Sequence, residues 1–164
     1  MIKREVNRLK IVLSRIDERL IHGQVMTAWL GYAKANKIII IDDELFNDDF
    51  MKQVLTLAAP SNIDVKVYNV EEMAKQYKNN SDESSVILLF KNPLYVLKLL
   101  EKEIKLSSVD LGNLGSKPTR NKLCKNIYLS DAEKHILENI LEKNCNIYVR
   151  MLPNDPIKEL KDFY

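Results

Sequence analysis

The chain has 164 residues, of which 46% are hydrophobic and 29% are charged, a composition typical of one globular domain with a sizeable core. Its 25 basic and 23 acidic residues nearly balance, which excludes the strongly basic face of a nucleic-acid-binding protein. The longest apolar runs, at residues 38–41 and 86–90, are too short to span a membrane, and the charged N-terminus lacks the apolar segment of a signal peptide. We therefore expect a cytoplasmic protein that binds no nucleic acid.

The two cysteines, Cys124 and Cys145, have neither the spacing of a metal site nor that of a disulfide framework. Free cysteines in a reducing compartment usually behave as small hydrophobic residues. We interpret both as buried residues, which agrees with a cytoplasmic location.

In the first half of the chain, short apolar runs alternate with stretches of helical periodicity. A strand is predicted at residues 9–15, and a helix then begins near Gly23. The continuous apolar run at residues 37–42 predicts a strand covered on both faces. Residues 63–70 alternate like a strand, and residues 71–78 predict a short helix.

An amphipathic helix is predicted between the second and third of these strands. Asn47 is its predicted N-terminal cap, and Pro60 marks its end. Three apolar residues at helical spacing lie on one of its faces, namely Phe50, Val54 and Leu57.

The second half of the chain continues the alternation. After a polar loop at residues 78–85, residues 86–91 predict a second fully buried strand, and Asn92 and Pro93 open a helix that runs to about Glu103. Further strands are predicted at residues 107–112, 125–129 and 146–152. A capping box at residues 130–133 opens a helix that ends near Asn144, and a tail with one or two helical turns follows residue 152.

Strands that alternate with helices predict an α/β fold, a single domain with a mostly parallel central sheet and helices on both faces. We assign residues 9–164 to this domain, and residues 1–8 to an N-terminal extension that is a candidate for a disordered arm. Ligands of such sheets bind beyond the carboxyl ends of the strands. The loops of interest are therefore those that follow Arg15, Asp42, Val70, Lys91 and Asp110.

Several features that suggest other kinds of site have simpler interpretations. The four glycines form no phosphate-binding loop motif, so we interpret Asp42 and Asp43 as a solvated strand end rather than as the acidic strand of an ATPase. The segment at residues 112–115 either brings backbone amides close to an anion or forms a turn that needs glycine for a positive φ, and the turn is favoured. His135 lies inside the last long helix without a cysteine partner, so we expect it at the surface.

The charged stretch at residues 15–25, RIDERLIHGQV, is the strongest candidate for chemistry. His22 follows the first strand and directly precedes a helix whose N-terminal amides favour negative charge. Arg15 and Arg19 are suited to binding phosphoryl oxygens. Asp17 is suited to pairing with an arginine or to accepting a hydrogen bond from the ring proton of the imidazole. These residue types are typical of a phosphohistidine site with His22 as nucleophile, and the lack of a second histidine argues against a metal site. On spacing alone, a charged loop that only packs is still the favoured alternative.

RIDERLIHGQV resembles the active-site signature of the enzyme IIB component of the bacterial phosphoenolpyruvate-dependent sugar phosphotransferase system, mannose/fructose/sorbose class. The resemblance continues in IIIIDDELFNDDFMKQVLTLAAP, LLFKNP, SVDLGNLG and IYLSDAE, and it covers the chain from about residue 9 onward. It implies a mostly parallel α/β sheet. It also implies that His22 accepts a phosphoryl group from a phosphohistidine of the IIA component and passes it to a hexose-type sugar held by the membrane components IIC and IID. Arg15, Asp17 and Arg19 match the supporting positions.

The sequence also departs from this family in two places. Glu18 stands where many members carry a second Asp, and we interpret it as solvated surface. The later loop usually reads NVGGM in the family, whereas residues 110–114 here read DLGNL. The sequence therefore leaves open whether residues 110–115 contribute to the site.

The resemblance implies a cytoplasmic phosphotransferase, associated peripherally with the inner face of the membrane through IIC and IID. It requires a covalent phosphohistidine but no cofactor and no metal. A regulatory IIB-like module that senses phosphorylation state is the main alternative, and a hydrolase that uses His22 as a base lacks a suitable Ser or Cys nucleophile. The sugar is not determined, because selectivity would lie in other chains, and a homo-oligomer is left open.

Overall fold

The computed structural model describes residues 9–164, and within them nine strands and five α-helices alternate along most of the chain. The strands are β1 (Lys10–Asp17), β2 (Lys37–Ile41), β3 (Asp64–Tyr68), β4 (Ser85–Phe90), β5 (Ser108–Asn113), β6 (Asn121–Cys124), β7 (Ile127–Leu129), β8 (Asn146–Val149) and β9 (Lys158–Glu159). The helices are α1 (Gly23–Ala33), α2 (Asp49–Ala58), α3 (Val70–Lys78), α4 (Pro93–Glu101) and α5 (Asp131–Glu142). Short 3-10 helices cover Leu45–Asn47 and Leu160–Phe163.

Seven of these strands form one sheet in the order β3-β2-β4-β1-β5-β8-β9. All neighbours pair in parallel except β8 and β9, which are antiparallel. The predicted α/β fold with a mostly parallel central sheet is therefore confirmed. None of the helices in residues 9–164 is long and apolar enough to cross a membrane.

Apolar residues on the two faces of the sheet form two separate cores. One core includes residues of α1 and α2, such as Trp29 and Leu55, and the other includes residues of α3, α4 and α5. The side chains of β2 alternate between them, with Ile38 and Ile40 in the first core and Ile39 and Ile41 in the second. This double burial is the reason that β2 is a continuous apolar run, as predicted.

The order of the strands places a topological switch point beside β1. The helix that follows β1 packs on one face of the sheet, whereas α5, the next helix after β5, packs on the other face. The carboxyl ends of these neighbouring strands therefore border the position where open α/β sheets ordinarily bind ligands.

Local signals at three helix ends are confirmed. The side chain of Asn92 accepts a hydrogen bond from the backbone of Leu94 at the start of α4. Ser130 and Glu133 form the predicted capping box at the start of α5. Asn144 follows the last turn of α5 with a φ of 61°, a left-handed conformation that asparagine tolerates.

Other local predictions are wrong. Asp48 rather than Asn47 caps α2, because its carboxylate accepts the backbone N–H of Met51 at 3.0 Å. The strand predicted at residues 125–129 is shorter and pairs with β6, which was not predicted, in a separate antiparallel hairpin. The last predicted strand ends at Val149, and the tail contains β9, which was not predicted, in addition to the predicted helical turn, which is the 3-10 helix.

The apolar face predicted for α2 points away from both cores. Phe50 is 73% exposed and Leu57 is 84% exposed, whereas Leu55 is the buried residue of this helix. Helical spacing identified the stripe, but it did not show which side of the helix meets the sheet. The assignment of residues 1–8 to an extension falls outside the described residues.

Candidate functional site

His22 lies at the carboxyl end of β1, where the chain turns into α1. It occupies the N-cap position with extended backbone angles, and its side chain, which is 21% exposed, makes no capping hydrogen bond. Gly23 follows with a φ of +43°, a left-handed conformation that glycine adopts without strain. The imidazole is not used for capping, and it lies at the carboxyl edge of the sheet beside the N-terminus of α1, as the sequence predicts.

Asp17, the last residue of β1, is the hub of the site and is fully buried. Its Oδ2 lies 2.9 Å from Nε2 of His22 and accepts a hydrogen bond from Nη2 of Arg15 at 3.2 Å. Its Oδ1 accepts the backbone N–H of Arg19 at 3.0 Å. A carboxylate only accepts hydrogen bonds, so neutral His22 in this contact carries its proton on Nε2 and has its lone pair on Nδ1.

Arg15 belongs to β1 itself and not to the loop that follows, because the strand continues to Asp17. Its guanidinium is fully buried, lies 5.2 Å from the ring centroid of Trp29, and donates from Nη1 to the Asp110 carboxylate and, at 2.8 Å, to the carbonyl of Arg150. The guanidinium of Arg15 is therefore held inside the protein and does not reach the surface.

Arg19 has the opposite setting, since its side chain is about half exposed. Its Nε lies 3.7 Å from Oδ1 of Asp17, and its Nη2 lies 4.0 Å from the sulfur of Met151. Of the two arginines in the motif, Arg19 is the one whose guanidinium reaches the surface next to His22.

Asp110 is a further charged residue beneath His22, which it reaches through Arg15 and Asp17. It was not among the site residues predicted from the sequence. It lies on β5 directly opposite Arg15 in the parallel register, 95 positions away in sequence. Burial raises its pKa to about 7, although Arg15 and the backbone of Arg150 act to lower it. An acidic residue between the apolar residues Val109 and Leu111 of a predicted strand was the available signal, because a buried charge needs a partner.

Gly112, also on β5, is explained by Arg15 and not by a turn. Its φ lies outside the left-handed region, so the predicted turn with a positive φ is wrong. A Cβ at this position would stand 2.2 Å from Cζ of Arg15. Glycine is therefore needed here because the guanidinium occupies the space of a side chain.

Glu18 is not the solvated residue that the sequence suggested. Its carboxylate is 17% exposed and accepts hydrogen bonds from the backbone of Gly115 at 2.9 Å and from Arg120 at 2.7 Å, with Lys117 at 3.0 Å. Burial alone would raise the pKa of Glu18, but these three donors outweigh it and hold the pKa below its ordinary value. These bonds connect the loop between β1 and α1 to the segment that follows β5. That segment therefore contributes to the structure around the site.

The loop after β8 forms a further wall that the sequence did not indicate. The guanidinium of Arg150 lies over the rings of Trp29 and Tyr32, at 5.7 and 5.2 Å from their centroids, and donates to the carbonyls of Pro153 and Asp155. Nε1 of Trp29 donates to the carbonyl of Met151 at 3.0 Å. These bonds hold the loop against α1, with the sulfur of Met151 beside both arginines of the motif.

The remaining candidates lie away from this cluster. Asp42 is buried and accepts the backbone N–H groups of Glu44 and Leu45, so the predicted solvated strand end is wrong for this residue. The side chain of Asp43 accepts the backbone N–H of Val70 but is 44% exposed, so the prediction holds for Asp43. His135 is 74% exposed on α5, as predicted.

Of the two cysteines, Cys145 is buried, and burial raises its pKa to about 11, whereas Cys124 is only partly buried. Both thiols are free. In the part of the chain that the structure describes, no group of three or more His, Cys, Asp and Glu side chains is placed to hold a metal ion.

The fold and the site together define a class of protein, namely a doubly wound α/β protein with a histidine held by a buried carboxylate at the carboxyl edge of its sheet. The family model described as PTS system sorbose subfamily IIB component matches residues 11–164, so the chain belongs to that family. It is a IIB component of the sugar phosphotransferase system, of the sorbose, fructose and mannose class. The resemblance predicted from the motifs is confirmed.

Individual relatives agree with this assignment. The fructose-specific EIIB component of Bacillus subtilis (strain 168) is 30% identical over 148 residues, which cover 90% of this chain and 91% of that protein. The mannose-specific EIIAB component of Escherichia coli (strain K12) is 31% identical over 93% of this chain and 47% of its own length. The crystal structure of the IIBSor domain of the sorbose permease from Klebsiella pneumoniae superposes with a TM-score of 0.89 at 31% identity, over 94% of this chain and 96% of that one.

Proposed function

We propose that this protein is the phosphocarrier of a sugar transport system and that His22 carries the phosphoryl group on Nδ1. The observation that carries the proposal is the 2.9 Å contact between Nε2 of His22 and Asp17, because it reserves Nε2 for the proton and leaves Nδ1 as the nucleophile. The donor is a phosphohistidine of a IIA component, and the acceptor is a hexose-type sugar held by the membrane components IIC and IID.

Each transfer exchanges one phosphorus bond for another. In the first, the lone pair of Nδ1 attacks the phosphorus, the phosphorus–nitrogen bond of the donor breaks, and its electron pair returns to the donor imidazole. In the second, a sugar hydroxyl oxygen attacks the phosphorus and the electron pair returns to Nδ1 of His22, while the hydroxyl proton is released to water. Asp17 keeps the proton on Nε2 throughout and stabilises the positive charge that the imidazole gains when Nδ1 is phosphorylated.

The surroundings of His22 suit a dianionic phosphoryl group. The free backbone amides at the N-terminus of α1 favour negative charge, and the first turn of this helix contains no acidic residue to oppose it. The guanidinium of Arg19, which is about half exposed, is the cation that contacts the phosphoryl oxygens. Arg15 acts on the same chemistry from below, through its hydrogen bond to Asp17.

Relatives support the assignment of partners and location. The E. coli relative is named as an EIIAB component and the chain spans 47% of it, which supports direct transfer between an A and a B unit. We place the protein at the inner face of the cell membrane, bound through IIC and IID. The relatives are named for fructose, sorbose and mannose. The features that these chains share therefore do not determine which sugar is transported.

Phosphoryl uptake by purified protein tests the proposal. Incubation with phosphoenolpyruvate, the general phosphotransferase relay proteins and a IIA component is expected to yield an acid-labile, base-stable phosphate that maps to His22. His22→Ala is expected to abolish uptake in a protein that still folds and unfolds cooperatively in urea, while His135→Ala, which changes an exposed histidine of α5, takes up phosphate normally. Continued phosphorylation of His22→Ala contradicts the proposal.

A further inference from the structure

The buried arginine of the site is shared between two carboxylates on neighbouring strands. Nη1 of Arg15 donates to Oδ2 of Asp110 on β5, while its Nη2 donates to Oδ2 of Asp17 on β1 at 3.2 Å. That same oxygen of Asp17 is the one that lies 2.9 Å from the His22 imidazole. Arg15 and His22 therefore share one acceptor atom of Asp17, while Nη1 of Arg15 is directed toward Asp110 on the other strand.

The pairing between Arg15 and Asp110 is incomplete as a structural ion pair. Both side chains are fully buried, yet Nε of Arg15 and Oδ1 of Asp110 have no hydrogen-bond partner in the described part of the chain. Buried charges with unsatisfied polar atoms add little to stability and often reduce it. Stability alone therefore does not account for a carboxylate at this position.

We propose that Asp110 is a positioning residue that sets the phosphoryl affinity of His22 through Arg15 and Asp17. By taking Nη1 of Arg15, Asp110 prevents Asp17 from being fully engaged by the guanidinium, so that Oδ2 of Asp17 stays available to Nε2–H of the imidazole. A stronger hydrogen bond from Nε2–H to Asp17 makes Nδ1 a stronger nucleophile and stabilises the phosphorylated imidazole. The inference rests on the proposed function.

A variant of nearly the same shape separates the charge of Asp110 from its packing. Asp110→Asn exchanges the carboxylate for a neutral amide of almost the same size. In this variant Arg15 retains one carboxylate partner, Asp17, and moves closer to it. The closer guanidinium then draws more of the negative charge of Oδ2, which weakens the hydrogen bond that this oxygen accepts from His22.

The test is the equilibrium of phosphoryl exchange with a purified IIA component of the mannose class. Asp110→Asn is expected to lower the ratio of phosphorylated to free His22 at equilibrium by about fivefold, the effect of weakening one charge-assisted hydrogen bond. Imidazole ¹⁵N spectra of unphosphorylated protein, at a pH where the ring is neutral, are expected to show a larger fraction of the Nδ1–H tautomer. A purely structural role for Asp110 would move neither quantity in the folded protein.

Asp43→Asn is the matched control, because it removes the same charge at the same sheet edge from a residue paired with Lys98 and Val70. It is expected to leave the exchange equilibrium unchanged. If Asp110→Asn is not recovered folded, Asp110→Ser provides the same comparison with a smaller polar side chain. An unchanged equilibrium and tautomer in a folded Asp110 variant overturns the inference, whereas a wild type that takes no phosphate on His22 overturns the proposed function instead.

Discussion

At the scale of single residues, one carboxylate decides what His22 can do. Asp17 ends its strand in the buried layer and directs one oxygen to the imidazole and the other to the backbone of Arg19. The residue types of this cluster were evident in RIDERLIHGQV, and so was the prospect that Asp17 fixes the tautomer. The burial of Arg15 was not evident, because a short motif does not show which of its charges turns inward.

A prediction at the residue scale concerns Gly112, which leaves room for the guanidinium of Arg15 because it has no side chain. Gly112→Ala places a methyl group where the guanidinium lies, so Arg15 must move, and the free energy of unfolding is expected to fall by about 1–3 kcal/mol. Urea unfolding measures this loss. The control is Gly31→Ala inside α1, where no atom lies within 4 Å of the added Cβ and helix propensity favours alanine by up to about 1 kcal/mol. Equal stability of the two variants would show that Arg15 does not need this space.

At the scale of elements, the apolar runs and caps of the sequence predicted most strands and helices. Continuous runs predicted β2 and β4 because strands buried on both faces carry apolar side chains at every position. β7 was predicted as part of a strand, but its partner β6 escaped prediction because it has only four residues and two of them are polar. The loop after β8 escaped prediction because its contacts to Trp29 and Tyr32 are set by tertiary packing.

The orientation of α2 gives a prediction at the element scale. Leu55→Ala is expected to reduce the free energy of unfolding by about 2–4 kcal/mol, because Leu55 packs in the core between this helix and the sheet. Leu57→Ala, the same substitution two residues later, is expected to change it by less than about 0.5 kcal/mol, because Leu57 lies in solvent. Urea unfolding of the two variants compares them directly, and a larger loss for Leu57→Ala would mean that the outward face of α2 is packed.

At the scale of the whole molecule, the site exists because the sheet brings distant segments together. β1 supplies Arg15 and Asp17, β5 supplies Asp110 and Gly112, and the loop after β8 supplies a carbonyl to the same guanidinium. The sequence predicted a parallel sheet with ligands at its carboxyl edge. It did not predict that β1 and β5 are neighbours, since strand order depends on tertiary packing, and for this reason Asp110 remained outside the predicted site.

The central claim is that Nδ1 of His22 accepts the phosphoryl group while Asp17 holds the proton on Nε2. The most direct measurement is a ¹⁵N and ³¹P NMR spectrum of the protein after phosphorylation by a IIA component, with histidine labelled in both ring nitrogens. The account predicts one phosphohistidine, with phosphorus coupled to Nδ1 of His22 and a proton on Nε2. Phosphate on Nε2, or on any other residue, would contradict it.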